Sequence, residues 1–233
     1  MTKYNMKIYP KTATERFNNA NFHIKYCLSF IKKYIKGNVL EIGAGCGSFT
    51  RNFMGTNIRK LTLTELDKKN ILDLKKKFKN KSNVKIVNGI IDRVENKYDT
   101  ILYLHVLEHI KNDKLEIKKA KEKLKKGGYL IIMVPAHQNI YSNLDKAVGH
   151  FRRYEKKFFK KKLLNLERVN LLSIDSIGYL LYYLNKIFFS KEIYPSDFKI
   201  FIWDKFFTPL TILVDFLTNY KFGKCIITIY KKN

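Results

Sequence analysis

The stretch VLEIGAGCGSFT, residues 39–50, constrains the fold of this chain more than any other feature. It reads as an apolar strand that runs into a turn with glycine at every second position, Gly43, Gly45 and Gly47, preceded by the carboxylate of Glu41. Glycine is needed where the backbone takes a positive φ or must approach a ligand closely. The loop is expected to open into a helix, whose free N–H groups can bind a carboxylate or a phosphate. A small ligand is therefore predicted at this turn.

Spacing around the loop narrows the class of ligand. A dinucleotide fingerprint places its last glycine three residues after the second, but Ser48 occupies that position, which argues against NAD. In the next stretch, LTLTELDKKN, Leu61 and Leu63 alternate as in a strand that ends in Glu65 and Asp67. An acid here, roughly 20 residues after the glycine loop, is placed to accept hydrogen bonds from both hydroxyls of a ribose. The alternative is that Glu65 or Asp67 caps the lysine-rich helix that follows.

Two further stretches continue the alternation of strand and helix. VKIVNGIIDRV, residues 84–94, predicts a strand and an NG turn before Asp92, which would also fit a helix N-cap. YDTILYLHVLEHIKND contains an apolar run at residues 101–104, short enough for a buried parallel strand. Residues at the carboxyl end of such a strand face the crevice in which open α/β sheets bind ligands. His105, Glu108 and His109 are therefore expected near a ligand, although a lone histidine is more often structural.

Together the four stretches resemble the class I S-adenosylmethionine-dependent methyltransferases, whose motif I is a carboxylate followed by G-x-G-x-G. The resemblance implies a Rossmann-like, seven-stranded α/β sheet, mostly parallel with one antiparallel C-terminal strand and helices on both faces. It also implies a site for S-adenosylmethionine, with S-adenosylhomocysteine as product, in which Glu65 binds the ribose, Asp92 the adenine and His105 the amino-acid portion. The implied cofactor-binding residues are Glu41, Gly43, Ala44, Gly45, Gly47, Glu65, Leu66, Ile91, Asp92 and His105. His105 departs from the Asp, Asn or Ser that is usual at its position.

A second motif follows the fifth predicted strand. The segment NLDKAVGHFRRYEKK places an acid, a titratable base, two fixed cations and a phenol on one short loop: Asp145, His150, Arg152, Arg153 and Tyr154. It resembles a subgroup of bacterial methyltransferases with an L-D-x-x-x-G-H-x-R-R-Y stretch, often encoded with enzymes of cell-surface polysaccharides and glycolipids. Histidine suits proton transfer near neutral pH, and arginine forks match phosphate or carboxylate. The alternative is a structural loop in which an acid pairs with the arginines.

The resemblance implies methyl transfer to an acceptor oxygen, nitrogen or carbon, and O-methylation of a small-molecule, sugar or lipid-linked acceptor is favoured. The enzyme must chiefly hold the acceptor in line with the departing sulfur, and a base matters most when the acceptor is a hydroxyl. His150 is the first choice of base and His109 the second, with Tyr154 as a third catalytic candidate. The residues assigned to acceptor binding are His137, Arg152, Arg153 and Tyr154.

Composition limits the remaining readings. A chain of 233 residues with 45% hydrophobic content is long enough for one well-buried α/β domain, so residues 1–233 are expected to form a single methyltransferase domain. Three cysteines without framework spacing and the lack of an apolar signal-peptide core predict a cytoplasmic protein, either free or peripheral to the inner face of the membrane. The net charge of +26 suggests RNA or an anionic membrane as partner. The lysines are scattered over the predicted helices 67–80 and 111–126, however, which makes nucleic acid the less favoured partner.

Several alternatives stay open at this point. The chain could be an RNA or protein methyltransferase that uses its basic surface, or a non-catalytic cofactor-binding or membrane-associated partner protein. No metal is predicted, because Glu108 and His109 alone are too few ligands. The chain is expected to be a monomer or a homodimer.

The other elements follow from local patterns. Residues 1–37 are predicted to be helical, with one helix over about 14–35. A helix that ends at Gly127 and Gly128 is expected before a strand over 129–134, and later elements are a helix over 156–166 and strands over 167–174 and 224–230. Between the last two strands lies an aromatic insertion, residues 175–222, predicted to be helical with breaks near Pro195 and Pro209. A lid over the acceptor pocket is favoured for it, and a dimer interface or an amphipathic membrane surface are the alternatives.

Overall fold

The strands are β1 (Gly37–Ile42), β2 (Ile58–Glu65), β3 (Val84–Asn88), β4 (Tyr98–Leu104), β5 (Leu124–Pro135), β6 (Glu167–Ile174) and β7 (Cys225–Lys231). They form one sheet in the order β3-β2-β1-β4-β5-β7-β6 in the computed structural model, which describes residues 18–55, 57–160, 165–188 and 194–233. Neighbouring strands pair in parallel from β3 to β5, whereas β7 runs antiparallel to both β5 and β6. The predicted Rossmann-like, mostly parallel sheet with an antiparallel last strand is confirmed.

Helices connect the strands on both faces of the sheet. The bounds of the helices before the insertion are Asn21–Ile31, Thr50–Phe53, Lys68–Lys77, Asp113–Lys123, Asn143–Ala147 and Lys156–Lys160. The first is shorter than the helix predicted over 14–35 and continues as a single 3-10 turn, Lys32–Tyr34, while residues 14–17 lie outside the described residues. Of the helix predicted over 156–166, residues 161–164 also lie outside the described residues. Asp67 caps the helix Lys68–Lys77 by accepting a hydrogen bond from the backbone N–H of Asn70 at 2.9 Å, as one of the sequence alternatives predicts.

The order of the strands determines where a ligand can bind. From β1 the chain moves outward to β2 and β3, and it then crosses to β4 on the other side of β1. In register, Glu41 of β1 lies beside Leu63 of β2 and Leu102 of β4. A reversal of strand order of this kind opens a crevice beyond the carboxyl ends of the two central strands.

Alternating side chains of the central strands build two separate cores. Val39 and Leu63 face one side of the sheet, where they pack with the helix Asn21–Ile31. Leu40 and Ile101 face the other side and pack with the helix Asp113–Lys123. All four side chains are fully buried, and each such aliphatic side chain stabilises the fold by about 1.5–3 kcal/mol. The rigid sheet between these cores fixes the strand ends from which the site is built.

The predicted end of the helix at Gly127 and Gly128 is wrong. The helix ends at Lys123, and β5 already begins at Leu124, which is fully buried and pairs with β4. A Cβ atom on Gly128 would lie 3.0 Å from the main-chain oxygen of Asp99 in β4. The glycine therefore permits close approach of two strands, and it does not end a helix.

The insertion is helical over Ser176–Phe188, Asp197–Ile202 and Thr208–Leu217. The predicted break near Pro195 is confirmed, because this residue lies between the first two of these helices. The predicted break near Pro209 is wrong, since a π-helical turn, Trp203–Phe207, carries the helical backbone into the last helix. Proline lacks an N–H group and its ring collides with the carbonyl four residues earlier in an α-helix, and a wider π turn before it relieves both problems. Within the described ranges, no helix combines the length and the apolar character needed to span a membrane.

Candidate functional site

A cavity of about 1440 Å³ opens at the carboxyl ends of β1, β2 and β4. Its lining includes the glycine loop after β1, the residues that follow β2 and β4, and side chains from the first two helices of the insertion. Ligand pockets commonly measure about 300–1,000 Å³. The cavity therefore has room for a nucleoside-sized ligand together with a second molecule.

The glycine loop is held against β2 by its own backbone. The N–H of Gly43 donates to the hydroxyl of Thr64 at 3.3 Å, and the N–H of Ala44 donates to the carbonyl of the same residue at 2.9 Å. Gly43 has φ +64°, and a Cβ atom there would lie only 2.8 Å from a methyl group of Val106. A larger residue at this position would therefore be strained and would displace the chain that follows β4. The predicted helix after the loop is present and is one turn long, Thr50–Phe53.

Glu41 lies beneath the loop and is almost fully buried, although it contributes to the cavity lining. Its carboxyl group accepts a hydrogen bond from the hydroxyl of Thr50 at 2.5 Å. Burial raises the pKa of Glu41 to about 8, and the hydrogen bond from Thr50 only partly offsets this effect. The group is thus poised to ionise when a cationic part of a ligand approaches.

Glu65 lies at the end of β2 and faces the cavity. One carboxylate oxygen accepts hydrogen bonds from the backbone N–H groups of Leu66 at 2.7 Å and Asp67 at 2.9 Å. The other accepts one from the N–H of Gly45 at 2.7 Å. A carboxylate offers about four acceptor positions, so these three bonds fix its orientation and leave about one position for a ligand.

The predicted adenine contacts lie outside the cavity lining. The side chain of Asp92 is half exposed and forms an ion pair with Lys119 at 2.6 Å, and Ile91 is fully buried in the core. Gly89 and Ile90 line the cavity in this region. The NG turn is the sequence signal that could have indicated these two positions.

Four titratable side chains meet beyond the carboxyl end of β4: His105, Glu108, His109 and His150. His105 has φ +58°, an uncommon conformation for a residue with a side chain, and its Nδ1 lies 3.5 Å from Oε1 of Glu108. Nε2 of His150 lies 3.9 Å from the same oxygen, and its ring centre is 4.6 Å from that of His109. Burial lowers the pKa of His109 to about 4, which makes its ring neutral at neutral pH. The structure thus brings together both histidines that the sequence proposes as bases.

Asp145 organises the second motif. Its buried carboxylate accepts hydrogen bonds from Nδ1 of His150 at 2.7 Å, from Nε of Arg153 at 2.9 Å and 3.0 Å, and from the hydroxyl of Tyr182 at 3.1 Å. Burial opposes ionisation of Asp145, but the hydrogen bonds from His150 and Arg153 and their charges outweigh it and hold the pKa below its usual range. The ionised carboxylate keeps the proton of His150 on Nδ1 and turns Nε2 towards Glu108.

The arginine and tyrosine that follow are placed elsewhere. Arg152 donates to the carboxylate of Asp113 at 2.5 Å and to the carbonyl of Lys111 at 2.7 Å. Tyr154 is almost fully buried, and its hydroxyl donates to the carboxylate of Asp113 at 2.9 Å, whereas Arg153 lines the cavity. Burial and the charge of Asp113 raise the pKa of the Tyr154 phenol. Arg152 and Tyr154 therefore hold the loop against the helix Asp113–Lys123.

Two other predicted residues also lie outside the cavity lining. The ring of His137 packs against Tyr179 and Phe222, with ring centres 4.9 Å and 5.1 Å away. A Cβ atom on Gly47 would lie 2.9 Å from Leu74, so this glycine permits close packing of the loop on the helix Lys68–Lys77. The structure gives both residues a packing role.

Sequence reasoning missed the polar contacts between the second motif and the insertion. Tyr182 donates to Asp145, its hydroxyl lies 2.6 Å from that of Ser142, and its ring lies 4.4 Å from the guanidinium of Arg153. No local pattern connects a tyrosine within an aromatic helix to a loop about 30–40 residues earlier. The S-x-x-D spacing of Ser142 and Asp145 was the one available signal, because it marks a helix start.

Comparisons with known proteins agree with this geometry. Residues 16–181 match a family model described as a methyltransferase domain. An N-methyltransferase, NodS from Bradyrhizobium japonicum WM9 in complex with S-adenosyl-l-homocysteine, has a similar fold with a TM-score of 0.61 at 14% identity, covering 96% of this chain and 93% of that one. Coclaurine N-methyltransferase, bound to N-methylheliamine and SAH, has a TM-score of 0.60 at 17% identity, covering 99% of this chain and 77% of that one. A comparison with curated protein sequences gave no match.

Proposed function

The chain belongs to the methyltransferase domain family, and from this premise we propose that it methylates the hydroxyl of a small-molecule, sugar or lipid-linked acceptor with S-adenosylmethionine. One observation carries the proposal: a single cavity has Glu65 and the glycine loop in one part of its lining and His150 and Arg153 in another. S-adenosylmethionine supplies a methyl group on a positively charged sulfur. The chain binds the nucleoside, holds the acceptor in line and manages the acceptor's proton.

The residues of the loop and of β2 fit this ligand. Glu65, fixed by three backbone N–H groups, accepts one ribose hydroxyl directly, and a second hydroxyl displaces the N–H of Gly45. At Gly43 a side chain would collide with Val106, so the glycine lets the loop pack against the chain after β4 while its backbone lines the cavity, where the amino-acid part of the ligand would lie. The carboxyl of Glu41 ionises to pair with the ammonium group of that part.

The methyl-transfer step depends mainly on the positioning of the acceptor oxygen relative to the methyl carbon. The acceptor oxygen forms a bond to the methyl carbon while the bond to sulfur breaks, and the positive charge on sulfur disappears. Holding the two reacting atoms in line contributes strongly in such reactions. His150, oriented by Asp145, and His109 beside it line the cavity, and we assign them to the part of it in which the acceptor hydroxyl loses its proton.

The insertion supports an acceptor with an apolar part. Leu181, Tyr182, Phe198 and Trp203 all contribute to the cavity lining. The two helices that carry most of these residues act as the wall of the acceptor pocket, in keeping with the predicted lid. Arg153, which also lines the cavity, offers a guanidinium group to a phosphate or carboxylate of the acceptor.

Exposed apolar residues on the same insertion support contact with a membrane. Phe188, Phe198, Phe206, Phe216 and Leu217 each expose between 63% and 71% of their surface. Such residues beside lysines suit the boundary between lipid headgroups and acyl chains. A lipid-linked acceptor could then enter the cavity from the membrane surface.

Calorimetry with purified protein tests the cofactor site. We expect heat of binding from both S-adenosylmethionine and S-adenosylhomocysteine, and binding about 10–150-fold weaker in Glu65→Ala, because a hydrogen bond to a charged group is worth about 1.5–3 kcal/mol. Asp73→Ala, an acidic residue of the next helix, serves as the control and keeps normal affinity. The absence of heat with both nucleosides would refute the proposal.

Transfer of a radiolabelled methyl group tests the acceptor class. Separate reactions contain a polar-lipid fraction, a sugar-nucleotide mixture and RNA, and we expect label in one of the first two. His150→Gln should lower the rate about 10²–10⁴-fold at saturating acceptor. Salt-sensitive labelling of RNA would favour the RNA methyltransferase, and cofactor binding without any transfer would favour a non-catalytic protein.

A further inference from the structure

Glu108, His109 and His150 form a group with the composition of a metal site. Each offers one ligand atom, and these atoms lie within 4.8 Å of one another. Glu108 and His109 come from the turn after β4, whereas His150 comes from the second motif. The sequence did not predict a metal, because only the fold brings the third ligand to the other two.

Within the described residues, only histidine rings at 3.5 Å or more face the carboxylate of Glu108, and none of them makes a well-formed hydrogen bond to it. The side chain is fully buried, and both of its oxygens lack a hydrogen-bond partner. The nearby ring nitrogens of His105 and His150 lie 3.5 Å and 3.9 Å from Oε1 without making a hydrogen bond. A buried carboxylate without partners is costly, so natural proteins pair such groups or use them to bind metals.

Both histidines are oriented as metal ligands usually are. Nδ1 of His150 donates to the carboxylate of Asp145 at 2.7 Å, which leaves the lone pair of Nε2 facing Glu108. The ring of His109 hydrogen-bonds with the main chain of Gly149. Histidine ligands typically donate their second N–H to a carboxylate or to a main-chain carbonyl, and this contact fixes the ring. A lone pair that faces a buried carboxylate oxygen calls for a cation between them.

We propose that Glu108, His109 and His150 bind a divalent first-row transition cation, with Zn²⁺ as the best-fitting example. Two histidines and one carboxylate are the protein ligands of one class of catalytic zinc site, which keeps a further position open. All three residues also line the cavity. The open position therefore faces the space assigned to the acceptor.

This inference rests on the proposed function and specifies how the acceptor loses its proton. A cation at this site lowers the pKa of a hydroxyl that it binds, as a Lewis acid does. The proton passes to water, the oxygen uses its electron pair to bond the methyl carbon, and the carbon–sulfur electron pair stays on sulfur. In this arrangement Nε2 of His150 binds the cation and does not accept the proton.

Zinc titration of chelator-treated protein tests the inference. We expect calorimetry with ZnCl₂, and metal analysis after dialysis, to give about one Zn²⁺ per chain. Glu108→Gln and His109→Gln should bind Zn²⁺ at least about 100-fold more weakly, since each loses one of three ligands. His137→Gln, a histidine outside the cavity lining, is the control and retains the site.

The same variants distinguish loss of the metal site from misfolding and from loss of the cofactor site. Glu108→Gln keeps the size and shape of the side chain, so the metal-free variant should keep its far-ultraviolet circular dichroism. Binding of S-adenosylhomocysteine should persist in Glu108→Gln. Equal zinc affinity of wild type and Glu108→Gln, or no binding by the wild type, would overturn the metal site, while the nucleoside titration would still report on the cofactor site.

Discussion

At the scale of single residues, the carboxyl group of Glu41 has the most informative environment. It is buried beneath the glycine loop, and its pKa is raised to about 8. In the unfolded chain this pKa is near the ordinary value of 4.5, so the folded state holds the proton more tightly. The resulting contribution to stability is complete below about pH 4.5 and is lost as the pH rises through about 8.

This environment predicts that nucleoside affinity depends on pH. If ionised Glu41 pairs with the ammonium group of S-adenosylmethionine, each pH unit below about 8 weakens binding about tenfold. Calorimetry between pH 6 and 9 measures the dependence. The ammonium group of the ligand also titrates near pH 8 and acts in the opposite direction.

Glu41→Gln isolates the contribution of the protein. The glutamine keeps an oxygen for the hydroxyl of Thr50 but has no titrating carboxyl. The pH dependence of its affinity should therefore reflect only the titration of the ligand's ammonium group. The difference between the pH profiles of wild type and variant gives the contribution of Glu41. Identical profiles for the two proteins would show that this carboxyl does not pair with the ligand.

At the scale of elements, Asp145 connects the loop of residues 142–154 to the first helix of the insertion. It binds His150 and Arg153 within the loop and Tyr182 of the helix Ser176–Phe188. Arg153 is almost fully buried, so the carboxylate is the charge that compensates its guanidinium. The connection fixes the helix Ser176–Phe188 relative to the loop that carries His150.

Asp145→Asn is expected to lower the free energy of unfolding by about 3–5 kcal/mol, because it leaves a buried guanidinium without its counter-charge. Urea denaturation measures the change. Asp92→Asn is the matched control: it removes the half-exposed partner of Lys119 and should cost about 0–1 kcal/mol. A similar loss in both variants would show that the Asp145 network adds little to the fold.

Local patterns predicted most of the elements, and long-range contacts explain the exceptions. The strand patterns gave all seven strands, and the signal is clearest in β1 and β4, which are buried parallel strands with nearly continuous apolar runs. Gly128 was misread, since its purpose is the approach of Asp99 in another strand, and Pro209 was misread because the π turn that accommodates it has no clear sequence mark. The same holds for the site. The glycine loop and Glu65 could be predicted from the spacing of their residues in the sequence, whereas the proximity of His150 and Glu108 depends on the fold.

At the scale of the whole molecule, the apolar surface of the insertion and the net charge of +26 act together. The last helix of the insertion, Thr208–Leu217, exposes Leu213 and Leu217, one turn apart, with 55% and 71% of their surface free. A basic protein with such a face is suited to anionic bilayers, because the charge attracts it and the apolar side chains anchor it.

Leu217→Asp is expected to weaken binding to vesicles of anionic lipid at least about tenfold, since burying a leucine side chain is worth about 1.5–3 kcal/mol. Sedimentation with vesicles at fixed salt measures the effect. Leu72→Asp, which changes charge equally at a site 65% exposed on the helix Lys68–Lys77, is the matched control and should bind normally. Equal loss of vesicle binding in both variants would show that binding depends on charge alone. If the wild type is a dimer and Leu217→Asp dissociates it, the apolar surface would instead be a dimer interface.

The bond from the N–H of Gly45 to Glu65 has a consequence for turnover. Without ligand, the N–H of Gly45 already occupies the carboxylate oxygen of Glu65 that a ribose hydroxyl would use under the proposed function, so the two donors would compete for it. S-adenosylmethionine and S-adenosylhomocysteine carry the same ribose, so this competition would weaken the binding of both equally. The activation barrier of the methyl-transfer step would not change. If Glu65 binds the ribose as proposed, this bond speeds the departure of the used nucleoside.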